Sequence, residues 1–207
     1  MGPFPHDTPR ATITDENPAG TDGFEFVEFA HSDPEQLEVL FTKMGYQRVA
    51  NHKTKAISIW RQGDINYVIN AEPGSHAMRF VEEHGPCAPS MAWRVADAQH
   101  AFEHAVSKGA EPYLGSDRTL DVPAIVGIGG SILYFIDQYG EDRSAYDQEF
   151  DWVEERNPKP KGIGFYYLDH LTHNVYRGNM DKWWDFYRNL FGFTQIHFFD
   201  IEGKMTG

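Results

Sequence analysis

The fold of this sequence is set by a stretch near its start, Gly23-Phe24-Glu25-Phe26-Val27-Glu28-Phe29-Ala30. Apolar and acidic residues alternate along it, which is the pattern of a half-buried β-strand. A helix follows that Ser32 or Asp33 can cap. Pro34 suits the first turn of this helix, and Gly45 ends it. The stretch therefore opens a unit made of a strand, a capped helix and a glycine stop.

The same unit occurs three times along the chain, each time with a further strand after the glycine. The glycine stops are Met44-Gly45-Tyr46, Lys108-Gly109-Ala110 and Phe191-Gly192-Phe193. We expect an α+β protein in which two units pack together within residues 21–152. A flexible leader is expected at 1–20 and a linker, rich in proline and charge, at 153–163. The third unit, at 164–207, would then begin a second domain.

The other elements follow from alternation, helical periodicity and turn residues. Further strands are expected at 46–50, 56–61, 65–70, 90–95, 111–114, 131–136, 165–175 and 193–201. A short helix is expected at 76–84, and the helix of the second unit runs from its cap Asp97 to Gly109. The glycine-rich run at 127–130 precedes a strand and not a helix, so we interpret it as a hairpin turn and exclude a phosphate-binding loop.

Composition excludes several classes of function. The formal net charge is −13, from 31 acidic and 18 basic residues, which argues against nucleic acid and anionic membranes as partners. One cysteine, Cys87, permits neither an intrachain disulfide nor a thiolate metal cluster. The start of the chain has no apolar signal-peptide core, and no run approaches the length of a transmembrane helix. A cytoplasmic protein is expected.

The densest set of candidate metal ligands is Asp169-His170-Leu171-Thr172-His173-Asn174, inside the strand predicted at 165–175. Side chains alternate along a strand, so His170 and His173 would lie on opposite faces, and only one would be a direct ligand. Two histidines and a carboxylate suit Fe(II) oxygen chemistry, although imidazole also suits zinc, copper and nickel. The alternative is a structural histidine hydrogen-bonded to a neighbouring carbonyl or carboxylate.

Other candidates have simpler interpretations. His100 and His104 stand four residues apart on a predicted helix, but no third ligand lies nearby in sequence. We expect both to be solvated surface histidines. Cys87 has no neighbouring histidine–acid pair and is not expected to be a nucleophile.

Several motifs together resemble 4-hydroxyphenylpyruvate dioxygenase. They include Arg61-Gln62-Gly63-Asp64-Ile65-Asn66 and Asp169-His170-Leu171-Thr172-His173-Asn174-Val175-Tyr176-Arg177-Gly178, with the runs at 23–30, 83–86, 123–130 and 155–158. The resemblance extends over about residues 20–207. It implies the vicinal-oxygen-chelate fold, in which βαβββ modules pair to give strongly curved mixed sheets with helices outside. It also implies a metal-free N-terminal domain of two modules and a catalytic second domain.

The resemblance assigns one metal ligand within this chain. His170 would be the first Fe(II) ligand and His173 would not, while the remaining histidine and glutamate would lie beyond Gly207. In the N-terminal domain, Glu25 would stand in the place of His170, and Ser90 in the place of the second histidine. No catalytic residue and no site for an organic cofactor is expected within the chain.

The implied reaction converts 4-hydroxyphenylpyruvate and O2 to homogentisate and CO2, a step in tyrosine and phenylalanine breakdown. With one ligand of three, this chain alone is expected to be inactive, and the complete protein is expected to be a homo-oligomer. Two alternatives remain at this point. One is 4-hydroxymandelate synthase, which shares the fold, metal and substrate. The other is a non-catalytic module of the same fold that binds a partner or a small ligand.

Overall fold

The structure, a computed structural model, describes residues 9–197, which form eight strands and four helices. The strands are β1 (Thr21–Ala30), β2 (Gln47–His52), β3 (Ile57–Gln62), β4 (Ile65–Asn70), β5 (Cys87–Val95), β6 (Ala124–Val126), β7 (Ile132–Ile136) and β8 (Phe150–Trp152). The helices are α1 (Pro34–Lys43), α2 (His76–His84), α3 (Ala98–Ser107) and α4 (Met180–Phe191). No helix within this part of the chain is long and apolar enough to cross a membrane.

All eight strands form one mixed sheet in the order β6-β7-β5-β1-β4-β3-β2-β8. The first strands of the two units, β1 and β5, pair antiparallel at its centre. Within each unit the first strand then pairs parallel with the last, β1 with β4 and β5 with β7. The predicted α+β class with two repeated modules is confirmed.

The two faces of the sheet carry different cores. Phe26, Ile59, Tyr134 and other buried side chains fill the inner face. On the outer face, alanines of α3 pack with Trp93 and Phe135, and α1 covers the first unit through Phe41. Helices α1 and α3 thus cover the outer face of their own units, and the inner face is shared by both units.

Local signals explain where the helices begin and end. The Asp97 carboxylate accepts the His100 N–H at 2.8 Å and caps α3 as predicted. Asp33 precedes α1, but its side chain accepts from Gln36 Nε2 and makes no hydrogen bond to the helix backbone. Gly192 ends α4 with φ of 72°, and a Cβ there would lie 2.4 Å from the Glu16 carbonyl oxygen.

The second unit is less regular than the prediction. The strand expected at 111–114 is reduced to a single bridge between Pro112 and Ile125. Two hydrogen bonds flank this bridge, from Tyr113 N–H to the Ala124 carbonyl at 2.9 Å and from Val126 N–H to the Glu111 carbonyl at 2.8 Å. The hairpin expected at 127–130 is present, since β6 and β7 pair antiparallel on either side of it. The sequence pattern did not predict β8, which extends the edge of the first unit by pairing with β2.

The third unit is only partly formed. Its helix α4 packs Leu190 and Phe191 into the outer core beside α3. The strand predicted at 165–175 is absent, and that segment has no regular secondary structure. Residues 193–197 are also irregular, and the rest of the strand predicted at 193–201 lies outside the described residues.

The segment after β8 is fastened to the turn between β3 and β4. The side-chain oxygen of Gln62 accepts the backbone N–H groups of Ile163, Gly164 and Phe165 at 2.6, 3.0 and 3.2 Å. Gln62 Nε2 donates to the Met44 carbonyl at 2.8 Å, so the fully buried amide is satisfied on both sides. Gly63 N–H adds a bond of 2.8 Å to the Pro160 carbonyl. The predicted linker is therefore docked on the first unit.

The described part of the predicted leader is also anchored. Asn17 Oδ1 accepts both the backbone N–H and the hydroxyl of Thr21, at 2.8 and 2.9 Å. Ala19 is fully buried in the outer core. The leader's first eight residues lie outside the described part of the chain.

Candidate functional site

His170 lies on an exposed segment that α4 and the Gln62 contacts hold in place from either end. Its side chain is 74% exposed, and its Nδ1 donates to the Asp169 carboxylate at 2.7 Å. A carboxylate on Nδ1 fixes the ring orientation and leaves Nε2 as the free nitrogen, an arrangement common among histidines that bind metals. The local geometry of His170 is compatible with a role as one ligand.

His173 occupies a different environment. Its ring lies against Tyr187 of α4, with ring centroids 5.8 Å apart, and Nε2 accepts a hydrogen bond of 3.3 Å from the Tyr187 hydroxyl. Contact with α4 buries part of the ring and lowers its pKa. His170 and His173 thus lie in different environments. The contact of His173 with α4 causes this difference, and the alternation of side chains along a strand does not.

A groove of about 660 Å³ runs beneath this segment. The segment 171–176 and Trp183 of α4 form one wall. Val27 and Met91, from the central strands β1 and β5, form part of its floor. His173 lines the groove, whereas His170 does not.

The described residues do not form a complete metal site. Residues 9–197 contain no group of three or more histidine, cysteine, aspartate or glutamate side chains placed to hold one ion. His170 offers one imidazole nitrogen, and Asp169 is engaged with the same ring. The donor set of the described residues does not fit a three-ligand Fe(II) centre by itself.

The corresponding place in the N-terminal sheet is filled by hydrogen-bonded side chains. Ser90 lies opposite Glu28 in the β1–β5 register and donates its hydroxyl to the Glu28 carboxylate. Asn70 Nδ2 donates to the same carboxylate at 2.7 Å, and the Thr119 hydroxyl also donates to it. Ser90 therefore pairs with Glu28 and not with Glu25, the residue that the resemblance aligned with His170.

Glu25 belongs to a separate set of buried charges. Its carboxylate accepts from Arg94 Nε at 2.6 Å and from Asn66 Nδ2 at 3.1 Å. A register shift between Phe24 and Phe26 accompanies this placement, and it brings Glu25 to the inner side of the sheet near Phe26.

The histidines of α3 are partly buried and contact other parts of the chain, contrary to the expectation of solvated surface histidines. His100 Nε2 donates to the Pro18 carbonyl at 3.0 Å, and His104 Nε2 is buried with no hydrogen-bond partner among the described residues. Burial, together with the nearby charges of Lys108 and His100, lowers the pKa of His104. The leader and α4 cover this face of α3, and neither contact is visible in the local sequence.

Cys87 lies beside a small apolar cluster on α2 and β1. Burial raises the pKa of its thiol to about 11, and the Glu28 carboxylate adds to the shift. The thiol therefore stays protonated at neutral pH and is a poor nucleophile.

A curved mixed sheet built from two repeated units around a central β1–β5 pair defines a vicinal-oxygen-chelate protein. A solved structure described as a xylose isomerase-like TIM barrel/4-hydroxyphenylpyruvate dioxygenase fusion protein superposes on it with a TM-score of 0.76 and 32% identity. The superposition covers 90% of this chain and 29% of that chain.

Sequence comparison narrows the class. Residues 15–151 match the family described as hydroxyphenylpyruvate dioxygenase, HPPD, N-terminal. The chain is 48% identical over 198 residues to hemolysin VllY of Vibrio vulnificus (strain CMCP6), covering 92% of this chain and 55% of that protein. It is 47% identical over 203 residues to 4-hydroxyphenylpyruvate dioxygenase of Pseudomonas aeruginosa (strain PAO1), covering 95% of this chain and 56% of that protein. The chain belongs to the hydroxyphenylpyruvate dioxygenase family, and it spans about half the length of these two relatives.

Two features of the site escaped the sequence interpretation. The contact between Asp169 and His170 was missed because the segment was predicted to be a strand, and a strand places adjacent side chains on opposite faces. The available signal was that a carboxylate and an imidazole are neighbours in sequence. The role of Gln62 was also missed. The available signal was an amide side chain between the strands expected at 56–61 and 65–70, since such a group needs specific partners when it is buried.

Proposed function

We propose that this chain forms the N-terminal part of an Fe(II)-dependent 4-hydroxyphenylpyruvate dioxygenase. The reaction would convert 4-hydroxyphenylpyruvate and O2 to homogentisate and CO2 in cytoplasmic tyrosine and phenylalanine breakdown, in a homo-oligomer. The observation that carries the proposal is the 47% identity to the Pseudomonas aeruginosa enzyme, which covers 95% of this chain. At that coverage the similarity extends beyond residue 151 into the segment of His170.

In this proposal residues 21–152 are a structural domain that binds no metal, and 153–163 link it to the catalytic domain, which begins at 164. His170 would be the first of three iron ligands. Fe(II), when bound, would supply a Lewis acid for the oxygens of a 2-oxo acid and an electron donor for O2. The chain itself orients the His170 ring. Asp169 accepts a hydrogen bond from Nδ1–H of His170, and this leaves the lone pair of Nε2 directed outward.

The two histidines provide a matched test of the ligand assignment. The complete chain and its His170→Ala and His173→Ala variants would be titrated with Co(II), and paramagnetic broadening would be followed by NMR. We expect broadening centred on residues 169–171, retained in His173→Ala and lost in His170→Ala. Retention in His170→Ala with loss in His173→Ala would reverse the assignment.

An activity assay tests the claim that this chain lacks a full ligand set. The purified chain would be incubated with 4-hydroxyphenylpyruvate, Fe(II) and ascorbate, and homogentisate would be separated by chromatography. We expect no product above the protein-free control, because one imidazole ligand does not hold a reactive iron centre. Turnover by this chain would contradict that claim and leave the family assignment intact.

The non-catalytic module remains a second candidate because the fusion structure carries this fold as 29% of a larger chain. In that case His170 would have no metal role. Unchanged Co(II) broadening in both variants would favour it.

A further inference from the structure

A second cavity, of about 360 Å³, opens on the inner side of the sheet, away from His170. The strands β1, β3, β4 and β5 contribute its floor, and the segments 139–144 and 157–159 contribute its rim. Five of its lining side chains are cationic: Arg10, Arg61, Arg94, Arg143 and Lys159. This concentration is unusual in a chain whose net charge is −13.

Arg61 is a buried cation held by neutral groups. It is 4% exposed, and its Nε donates to Asn66 Oδ1 at 2.5 Å. Its Nη1 donates to Asn157 Oδ1 at 2.7 Å and to the Pro158 carbonyl at 3.0 Å. Within residues 9–197 none of its hydrogen bonds goes to a carboxylate. Burial lowers the pKa of Arg61, because the ion loses water that its neutral partners do not fully replace.

The neighbouring buried charges do not balance Arg61. Arg94 donates from Nε to Glu25 at 2.6 Å, and Glu25 is 4% exposed. Two guanidinium groups therefore share one buried carboxylate at the floor of the cavity. An uncompensated buried charge is costly, and a mobile counter-ion is one way to offset it.

Besides Glu25, three acids line the cavity, Asp22, Asp64 and Glu141. Asp22 accepts the Tyr139 hydroxyl at 2.6 Å, and Asp64 pairs with Lys159 at 2.9 Å. Arg143, at the rim, makes no ion pair with any described residue. The cavity thus has more cationic groups than its carboxylates engage.

We propose that this cavity binds a small oxyanion, a carboxylate or a phosphate, between Arg61, Arg94 and Arg143. Planar guanidinium groups donate two parallel hydrogen bonds to such oxygens. The Tyr139 ring, 5.4 Å from the Arg94 guanidinium carbon, borders the site. A volume of about 360 Å³ suits a ligand of a few to a dozen heavy atoms. Because Asn157 and Lys159 belong to the docked linker, the anion would also fasten the linker to the sheet.

The test is calorimetric titration of the complete chain with inorganic phosphate and, separately, with succinate. Sodium chloride at equal ionic strength is the control. We expect saturable binding of at least one oxyanion with half-saturation below about 10 mM, and none of chloride. Saturation by phosphate only, or by succinate only, would identify the class of anion. Chloride-like, unsaturable heats for both would overturn the proposal.

Variants locate the binding. Arg143→Gln removes a rim charge that makes no contact within the described protein, and should weaken binding about threefold. Arg61→Lys keeps the positive charge but loses the two parallel donors of the guanidinium group. This substitution should weaken anion binding about tenfold or more. Arg177→Gln, an exposed arginine outside the cavity, is the matched control and should bind normally.

Crystallography keeps the test independent of the stability of Arg61→Lys. Crystals of the wild-type chain soaked in selenate should give an anomalous peak between Arg61 and Arg94. A peak elsewhere, or equal affinities in all three variants, would also overturn the proposal.

Discussion

Glu28 shows how a buried carboxylate can be stabilised without a cation. It is 1% exposed, and its hydrogen bonds come from Ser90, Asn70 and Thr119, all of them neutral. These residues lie on β5, on β4 and in the loop before β6, so one carboxylate joins elements of both units. We infer that Glu28 is structural.

Replacing Glu28 should therefore cost stability. Glu28→Ala leaves three buried donors without an acceptor, and should lower the free energy of unfolding by about 2 to 3 kcal/mol. Urea denaturation followed by circular dichroism measures the change. Glu82→Ala, at an exposed position on α2, is the control and should stay within about 0.5 kcal/mol. Equal, small effects of both substitutions would contradict the inferred role.

At the scale of elements, the β3–β4 turn does more than reverse the chain. Gly63 has φ of 57°, and a Cβ added there would lie 2.6 Å from Tyr166 Cα and 2.8 Å from the Phe165 carbonyl oxygen. The backbone at 165–166, just after the linker, therefore approaches the turn more closely than a side chain at position 63 would allow. The glycine is needed for the turn conformation and for this contact.

Gly63→Ala should loosen the linker. Gly74→Ala is a matched control, because Gly74 also has positive φ, 73°, but a Cβ added there would have no atom within 4 Å. Both changes carry the backbone cost of about 1 kcal/mol, and Gly63→Ala adds the clash, about 1 to 3 kcal/mol more. Trypsin cleavage after the exposed Lys161 should be faster only in Gly63→Ala. Similar cleavage rates in both variants would show that the turn does not hold the linker.

The elements also show what local sequence can predict. The helix expected at 76–84 has the bounds of α2, because its N-cap Ser75, its apolar spacing and Gly85 are all local signals. The strand expected at 165–175 did not form. Alternation shows that a segment could fit a sheet, but a strand also needs a neighbouring strand to pair with. The prediction that His100 and His104 are solvated was wrong for a related reason. The groups that cover them come from the leader and α4, about 80 residues away in either direction.

For the whole molecule, the fold was predictable because the unit is repeated. Two copies of one pattern, with glycine stops at Gly45 and Gly109, indicated the pairing that the sheet order then confirmed. The candidate site was less predictable. The residue His170 could be singled out, but its exposure and its contact with Asp169 depend on how α4 and the linker are held.

Acid stability of the whole molecule depends in part on Asp117. Partial burial alone would raise the pKa of its carboxyl, but hydrogen bonds from Arg79 and the Tyr113 hydroxyl outweigh burial and hold it below its usual 3.8. A folded pKa below the unfolded one means that the charged form favours folding. The contribution is therefore complete above about pH 4 and is lost as pH falls through the folded pKa.

Asp117→Asn should lower stability at pH 7 by about 0.5 to 1 kcal/mol, as expected for a partly exposed pair. The same variant should lose less stability than wild type between pH 4 and pH 2, a range that brackets the expected fall. Thermal unfolding at a series of pH values measures both effects. Asp151→Asn, an exposed aspartate on β8, should follow the wild-type curve. Parallel pH curves for Asp117→Asn and wild type would exclude Asp117 as a source of the acid dependence.

The three hydrogen bonds that Gln62 accepts have a geometric consequence. They fix the chain as far as the Phe165 N–H, and His170 follows five residues later. Five extended residues span at most about 18 Å. The His170 backbone therefore lies within that distance of the Phe165 N–H, which is bonded to the first unit. Under the proposed role of His170 as an iron ligand, the metal centre would therefore have to form close to the first unit.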